Sequence, residues 1–561
     1  MFSCSIKNYL PSNKIGYKQS QQLCRSFAIL PVNFKRLKKF TNIGFSILSG
    51  ILLYAAWPVS PFTALIFISW IPLLFVARET PKRIHFFWYT FVTTVTWNAL
   101  TTWWIWNSTD AGAIAAILAN SLLMTLPWIG YHIFKKRYGE KAGNVSLVVF
   151  WMMFEYLHLN WQLSWPWLTL GNVFAMHPAW VRWYSYTGVA GGTLWVMLIN
   201  VLLFELIVNI RLKQVKMQLI IVNLLLVVVP LTLSYYLGSV LPKFSKKPTT
   251  NVVIVQPNID PYNEKFDMND LASQLQKLIG LSEREIDSNT RLVVWPETAL
   301  PEGFLQGEMQ EIPIYKPVFD LIKKYPQITL ETGAVTFKNY GAKKATPTAQ
   351  YDKVNREYYD VFNSAVALKY GSPITYYNKN KLVPGVETLP DFLLWMGPIF
   401  EKFGGTAGGF GRSKTSAVFS ENGNPYITAP IICYESIYGE YVSSYVKKGA
   451  NLLTVITNDG WWGNTPGYHQ HFEYARLRAI ETHRWVARSA NTGISGFIDS
   501  DGTIKGTLPW NVAGSLKESI PATTGDTFYA RFGDWLFKMA AVAGFLLILI
   551  HWYVKVKRKR R

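Results

Sequence analysis

Cys433 closes the apolar run Ile431-Ile432-Cys433-Tyr434-Glu435 at a point where the pattern changes from strand to helix. A thiol placed there faces the free N–H groups of the helix start, which favour the thiolate that does the attacking. Position alone is equally compatible with a buried, inert cysteine. Two further strand-ending segments carry complementary groups. Arg291-Leu292-Val293-Val294-Trp295-Pro296-Glu297 sets a carboxylate behind a proline, and Tyr377-Asn378-Lys379 sets an ammonium at a strand tip. A thiol attacking a carbonyl needs a base to take its proton and a fixed positive donor for the oxyanion that forms; Glu297 and Lys379 offer both without histidine. Singly, an acid or a lysine at a strand end is ordinary solvated surface, so the surrounding sequence has to decide. His469, His471 and His483 lie close together, but no Cys, Asp or Glu cluster completes a ligand set, and neither a metal nor another cofactor is expected.

These groups belong to a chain of 561 residues, too long for one core, in which 50% of residues are hydrophobic and 16% charged, with 23 Trp and 33 Phe. That is the composition of a membrane protein. The three cysteines, Cys4, Cys24 and Cys433, imply no disulfide framework. A net charge of +21 raises the question of nucleic acid, but the surplus is local. Residues 1–40 carry eight Lys/Arg and no acid, the tail 555–561 carries six, and the short loops 78–83, 135–141 and 211–216 hold the remainder. Basic clusters flanking apolar segments mark cytoplasmic membrane ends, so no nucleic-acid partner is expected.

Apolar segments near Ile43–Trp57, Thr63–Ala77, Phe86–Trp104, Ala113–Phe134, Val145–Leu157, Val189–Ile210 and Gln218–Tyr236 predict seven spans, and Trp535–Tyr553 an eighth. The basic loops follow spans two, four and six, whereas the loops at Pro58–Phe62 and Asn107–Gly112 carry no Lys or Arg. The alternation predicts both termini in the cytoplasm and the polar segment on the outer face. The expected divisions are a basic lead at 1–40, a seven-helix domain at 41–238, an extramembrane domain at 242–534, an eighth span at 535–554 and a basic tail at 555–561. Between spans five and six, Trp161-Gln162-Leu163-Ser164-Trp165-Pro166-Trp167 reads either as a segment lying at the outer leaflet under the polar domain or as an ordinary aromatic belt.

The polar segment alternates strands and helices. Strands are expected at Asn251–Gln256, Arg291–Trp295, Ile328–Leu330, Val361–Leu368, Ile374–Tyr377, the run into Cys433, Leu452–Thr457 and Gly493–Asp499. Helices are expected after Met268, at Pro317–Lys324, at Ile437–Lys448 and, as one long element, at Tyr468–Arg488. The result is a layered α/β sandwich.

In sequence order, Trp295-Pro296-Glu297, Asn378-Lys379 leading to Leu382-Val383-Pro384 with Glu387 eight residues past the lysine, and Cys433-Tyr434-Glu435 together resemble the nitrilase superfamily. The seven-plus-one spans narrow the resemblance to the apolipoprotein N-acyltransferases. Gln256, Phe362-Asn363-Ser364-Ala365, Thr457-Asn458-Asp459-Gly460-Trp461-Trp462-Gly463, Gln470-His471, Arg476, Arg478, Glu481 and Arg488-Ser489-Ala490-Asn491 are similar to blocks of that family. Pro384-Gly385-Val386-Glu387 departs from the usual Pro-Phe-Gly-Glu, and Phe266 stands where relatives carry Trp.

The resemblance implies an αββα catalytic domain of nitrilase type beside eight membrane helices. It also implies a Glu297, Lys379, Cys433 triad, with Glu387, Tyr434, Glu435, Trp295 and Trp461 supporting it or lining its pocket. It implies a phospholipid acyl donor, a diacylglyceryl-apolipoprotein acceptor and a monomer in the cell inner membrane. The segment Asp391–Phe410, apolar and then glycine-rich, reads as a mobile lid or as a packed helix and loop. The competing readings are a membrane-tethered amidase using water as acceptor, and a non-enzymatic lipoprotein-binding protein.

Overall fold

The computed structural model describes residues 34–240, 248–262, 264, 270–397 and 409–559. Most of the basic lead, Cys4, Cys24, Phe266, Met268 and the centre of the expected lid lie outside the described residues.

The N-terminal part is helical. It comprises α1 (Phe34–Ala56), α2 (Ile71–Glu79), α3 (Arg83–Thr102), α4 (Asp110–Leu123), α5 (Thr125–Tyr138), α6 (Glu140–Leu159), α7 (Val189–Arg211) and α8 (Met217–Val240), with a last helix at Trp535–Lys559. Among the described residues six helical stretches are long and apolar enough to cross a membrane: 39–56, 110–138, 140–159, 189–211, 217–240 and 535–558. The expected second span is broken into a 3-10 turn at Thr63–Phe67 and the nine-residue α2. Helix α3 is long enough at 20 residues, but it buries Thr90, Thr93, Thr94, Asn98, Thr101 and Thr102. Several of these polar groups pair inside the bundle: Thr90 donates to the Phe86 carbonyl at 3.0 Å, Asn98 to the Thr94 carbonyl at 2.8 Å, and Asn120 to Asn98 at 2.7 Å.

The second part is a four-layer α/β sandwich. One eight-stranded sheet contains β1 (Thr249–Gln256), β2 (Thr290–Val294), β3 (Thr329–Gly341), β4 (Glu357–Lys369) and β5 (Thr375–Asn378). β1, β2 and β3 run parallel, with Val293 beside Val253 and Leu330, while β4 is antiparallel to β3 and β5. The six-stranded second sheet is centred on β6 (Ile427–Ile432), β7 (Leu452–Thr457) and β8 (Trp485–Ala490), all parallel. Both sheets are covered on each face, which is why these strands read as continuous apolar runs. Val252, Ile254, Leu292 and Val294 pack against the second sheet. The alternate residues Val253, Val255, Val293 and Leu330 pack under α9 (Leu271–Glu283) and α10 (Lys316–Lys324).

On the far side of the second sheet lie α11 (Gly439–Val446) and α12 (Pro466–Thr482). α12 is shorter than the expected helix 468–488, because His483 turns left-handed (φ +50°) and residues 485–490 form β8. Arg484 and Arg488, which fall inside the expected helix, are both buried. α12 has two apolar faces. Phe472, Ala475 and Ala479 meet the sheet, while Tyr474, Leu477 and Ile480 join the core of the membrane helices.

The tryptophan segment is that junction. It leads into three 3-10 turns between Pro166 and Trp180, with Trp167 donating to Gln470 at 2.7 Å and Tyr474 donating to the Trp167 carbonyl at 2.9 Å. From below, Glu155 of α6 accepts from the Leu170 N–H (2.8 Å) and Thr193 (2.7 Å), fixing the turns to two helices. A lone carboxyl inside an apolar run is thereby accounted for.

Candidate active site

Glu297, Lys379 and Cys433 come together where the C-terminal ends of β2, β5 and β6 meet. All three are buried, at 6%, 1% and 8% exposure. The Lys379 ammonium lies 3.3 Å from Glu297 Oε1 and 2.8 Å from Glu387 Oε1. Asn363 of β4 donates to the same two oxygens, at 2.7 and 3.2 Å. The other Glu297 oxygen accepts the Asn458 N–H at 2.9 Å, and the other Glu387 oxygen the Val383 N–H at 2.8 Å. Two carboxylates are thus locked around one cation. Burial opposes the charge on Lys379, but Glu387 and then Glu297 outweigh it and hold the ammonium above the usual lysine range.

The turn carrying Glu297 depends on a glycine that the sequence reading passed over. Gly333 of β3 donates to the Pro296 carbonyl at 3.0 Å, and a Cβ on it would lie 2.6 Å from both Glu297 Cα and that carbonyl oxygen. Only a residue without a side chain lets the two backbones approach so closely. Thr298, next in the turn, takes φ +48°.

Cys433 opens a five-residue 3-10 turn, Cys433–Ile437, and not a long helix. Its φ is +49°, a conformation that a non-glycine residue adopts at a cost of about 1–3 kcal/mol and one that occurs at functional turns. The expected thiolate-favouring helix start is therefore corrected. Burial first and the Glu297 charge second push the Cys433 thiol up, with the Lys379 charge and a Thr457 hydrogen bond pulling the other way. Burial thus favours the protonated form of the thiol, with Glu297 beside it.

The remaining candidates divide by position. Glu435 is fully buried and accepts from Tyr377 (2.6 Å), the Asn380 N–H (2.7 Å) and the Ile432 N–H (2.9 Å). It ties the strand end bearing Lys379 to the strand end bearing Cys433. Tyr434 reaches out of the α/β domain, donating to the Ser164 carbonyl at 2.8 Å beside Trp165. Trp461 stacks edge-on with Tyr262, 5.3 Å between centroids, and its carbonyl accepts from Tyr262 at 2.9 Å and Ser108 at 3.2 Å, at the seam with the helical part. Trp295 is not brought to the site. It lies in the core under α9, donating to Ser282 at 2.8 Å. Asn363 and Asn458 were visible only as members of longer blocks; nothing in their own type or spacing marks them as partners of Glu297.

A cavity of about 400 Å³ lies against the loop that carries Glu387. One wall is the loop carrying Val383, Pro384 and Leu389 around Glu387. The others are Trp165 and an alanine-rich face of α4, Ala115, Ala116 and Ala119. The lining is overwhelmingly apolar. Among the described residues no group of three or more His, Cys, Asp or Glu is placed to hold a metal ion.

Two family models match the chain. The carbon-nitrogen hydrolase family matches residues 251–527, and the apolipoprotein N-acyltransferase N-terminal domain matches residues 49–202. The apolipoprotein N-acyltransferase of Chlorobaculum tepidum is 31% identical over 506 residues, covering 87% of this chain and 92% of that one. That of Geobacter metallireducens is 29% identical over 516 residues, covering 89% and 93%. Among solved structures, Saccharomyces cerevisiae Nit3 of the nitrilase superfamily is 16% identical and overlaps 49% of this chain and 90% of its own, with a TM-score of 0.34. By its match along both parts, the chain belongs to the apolipoprotein N-acyltransferases of the nitrilase superfamily.

Proposed function

We propose that this protein moves a fatty acyl chain from a phospholipid to the α-amine of the N-terminal diacylglyceryl-cysteine of apolipoproteins, through a thioester on Cys433. Glu297 takes the thiol proton as sulfur attacks the ester carbonyl. Lys379 and backbone N–H groups hold the tetrahedral oxyanion. The ester C–O bond breaks, the departing oxygen recovers the proton from Glu297, and a lysophospholipid leaves. The acceptor amine then attacks the thioester, gives a proton to Glu297 and expels the Cys433 sulfur, which is reprotonated. The raised thiol supports this order, since a resting thiol makes deprotonation part of the attack.

The observation that carries the choice of substrate is the apolar cavity between α4 and the Glu387 loop, which suits an acyl chain and offers little to a small amide. The proposed arrangement keeps eight spans with both termini cytoplasmic, counting the broken 63–79 segment and α3, and the divisions 41–238, 242–534 and 535–554. It faces the catalytic domain outward at the inner membrane, as a monomer. Incubation with phospholipid followed by intact-mass measurement tests it. A fatty acyl adduct on the wild type and none on Cys433→Ala is expected; turnover of a small amide with release of free acid, and no acyl adduct, would overturn it.

A further inference from the structure

The attack just described needs donors aimed at the carbonyl oxygen, and the peptide unit after the nucleophile is held from behind by groups outside the triad. The Cys433 carbonyl oxygen accepts from Ser436 Oγ at 2.7 Å and lies 3.2 Å from His471 Nε2, which is itself 2.9 Å from Ser436 Oγ. His471 Nδ1 lies 2.9 Å from Asp459 Oδ1, and Arg488 binds the second Asp459 oxygen at 2.5 Å. All four side chains are 0% exposed. They come from the nucleophile turn, the loop after β7, α12 and β8: Ser436 and His471 meet the carbonyl, and Asp459 and Arg488 hold His471 from behind. Burying a carboxylate, a guanidinium and an imidazole is costly unless each is paired, and here the pairing is built around that carbonyl.

A trans peptide is planar, with its C=O and N–H pointing in opposite directions, and no peptide among the described residues is cis. Pinning the Cys433 carbonyl toward α12 therefore turns the Tyr434 N–H the other way. As the second residue of a 3-10 turn, Tyr434 has no acceptor for that N–H within the turn. We propose that Ser436 and the His471–Asp459–Arg488 array are positioning residues that aim the Tyr434 N–H at the acyl carbonyl oxygen and keep Cys433 in its left-handed conformation. The inference rests on the thioester reading above.

Two substitutions at one buried position separate aiming from packing. Gln places its amide near the Nε2 position, keeping a polar group on the nucleophile turn and giving up Asp459; Asn does the reverse. In single-turnover acyl-enzyme formation from phospholipid, His471→Asn should lower the rate on the order of 100-fold, the size of effect of losing an oxyanion donor, with the donor KM little changed. His471→Gln should recover most of that rate. Ser436→Ala, which removes a single hydroxyl, should fall in the same direction and serves if the histidine variants fail to fold. Equal rates for His471→Asn and His471→Gln, a loss confined to KM, or a wild-type rate for Ser436→Ala would overturn the proposal. Absence of any thioester on the wild type would instead remove the reading on which it rests.

Discussion

At Cys433, reactivity toward a small electrophile and catalysis should respond oppositely to loss of the neighbouring carboxylate. The thiol is pushed up by burial and by Glu297. Replacing Glu297 with Gln removes the negative neighbour and leaves Lys379, so the thiol pKa falls. Below that pKa the thiolate fraction rises tenfold for each pH unit gained, so iodoacetamide should alkylate Cys433 faster in Glu297→Gln than in the wild type at pH 8. Acyl transfer should fall by on the order of 100-fold or more, since the proposed base is gone. Alkylation slower than wild type would show that Glu297 does not set the thiol's charge state. Glu297, Lys379 and Cys433, which the structure brings together, were picked out in the sequence by the blocks around them, since an acid or a lysine at a strand end is by itself ordinary surface. Gly333, Asn363 and Asn458 were not, because what they contribute is an absent Cβ, a bridging amide and a backbone N–H.

Strands carry the same logic one level up. Glu331 of β3 points between the two sheets, where Thr428 and Thr454 of β6 and β7 donate to its two oxygens. Burial pushes its carboxyl up to about 7. A carboxyl raised in the folded state stabilises while it is protonated. That contribution is complete below the unfolded value near 4.5 and is lost as pH rises through about 7. A difference of that size is worth on the order of 3 kcal/mol. The melting temperature in detergent should therefore drop as pH rises from about 4.5 to about 7 for the wild type and level off above, and Glu331→Gln should flatten that drop; an unchanged slope in the variant would refute the assignment. Gly333→Ala, on the same strand, should deplete folded protein or abolish transfer outright, because the Cβ meets backbone and not a yielding side chain. Expression level in the membrane fraction and transfer rate together check it. Element order was largely readable because strands covered on both faces run apolar throughout. The end of α12 was not, since a buried Arg488 paired with Asp459 looks, in sequence, like solvent-facing helix.

Across the whole molecule, the helical part and the sandwich share a core, with Tyr434, Ile437, Tyr438, Tyr474 and Leu477 packed among the membrane helices. Apolar segments predicted the order of these parts, whereas the division of the helical part into spans depends on polar side chains that pair only after folding. What the union creates is a cavity belonging to neither half: α4 supplies alanines and the sandwich supplies the Glu387 loop. Ala115, Ala116 and Ala119 are exposed along one side of α4, so the space is open toward the surface where lipid would lie. If acyl chains occupy it, filling it from the membrane side must impair lipid use without touching the triad. Ala116→Trp puts a large ring into a space of about 400 Å³. The expected outcome is a rise in KM for long-chain phospholipid of about tenfold, the cost of displacing about two buried methylene groups, with a smaller penalty for short-chain donors. Cys433 alkylation should be unchanged, because the substitution lies on a different element from the thiol. Equal kinetics for long and short chains would place the acyl chain elsewhere.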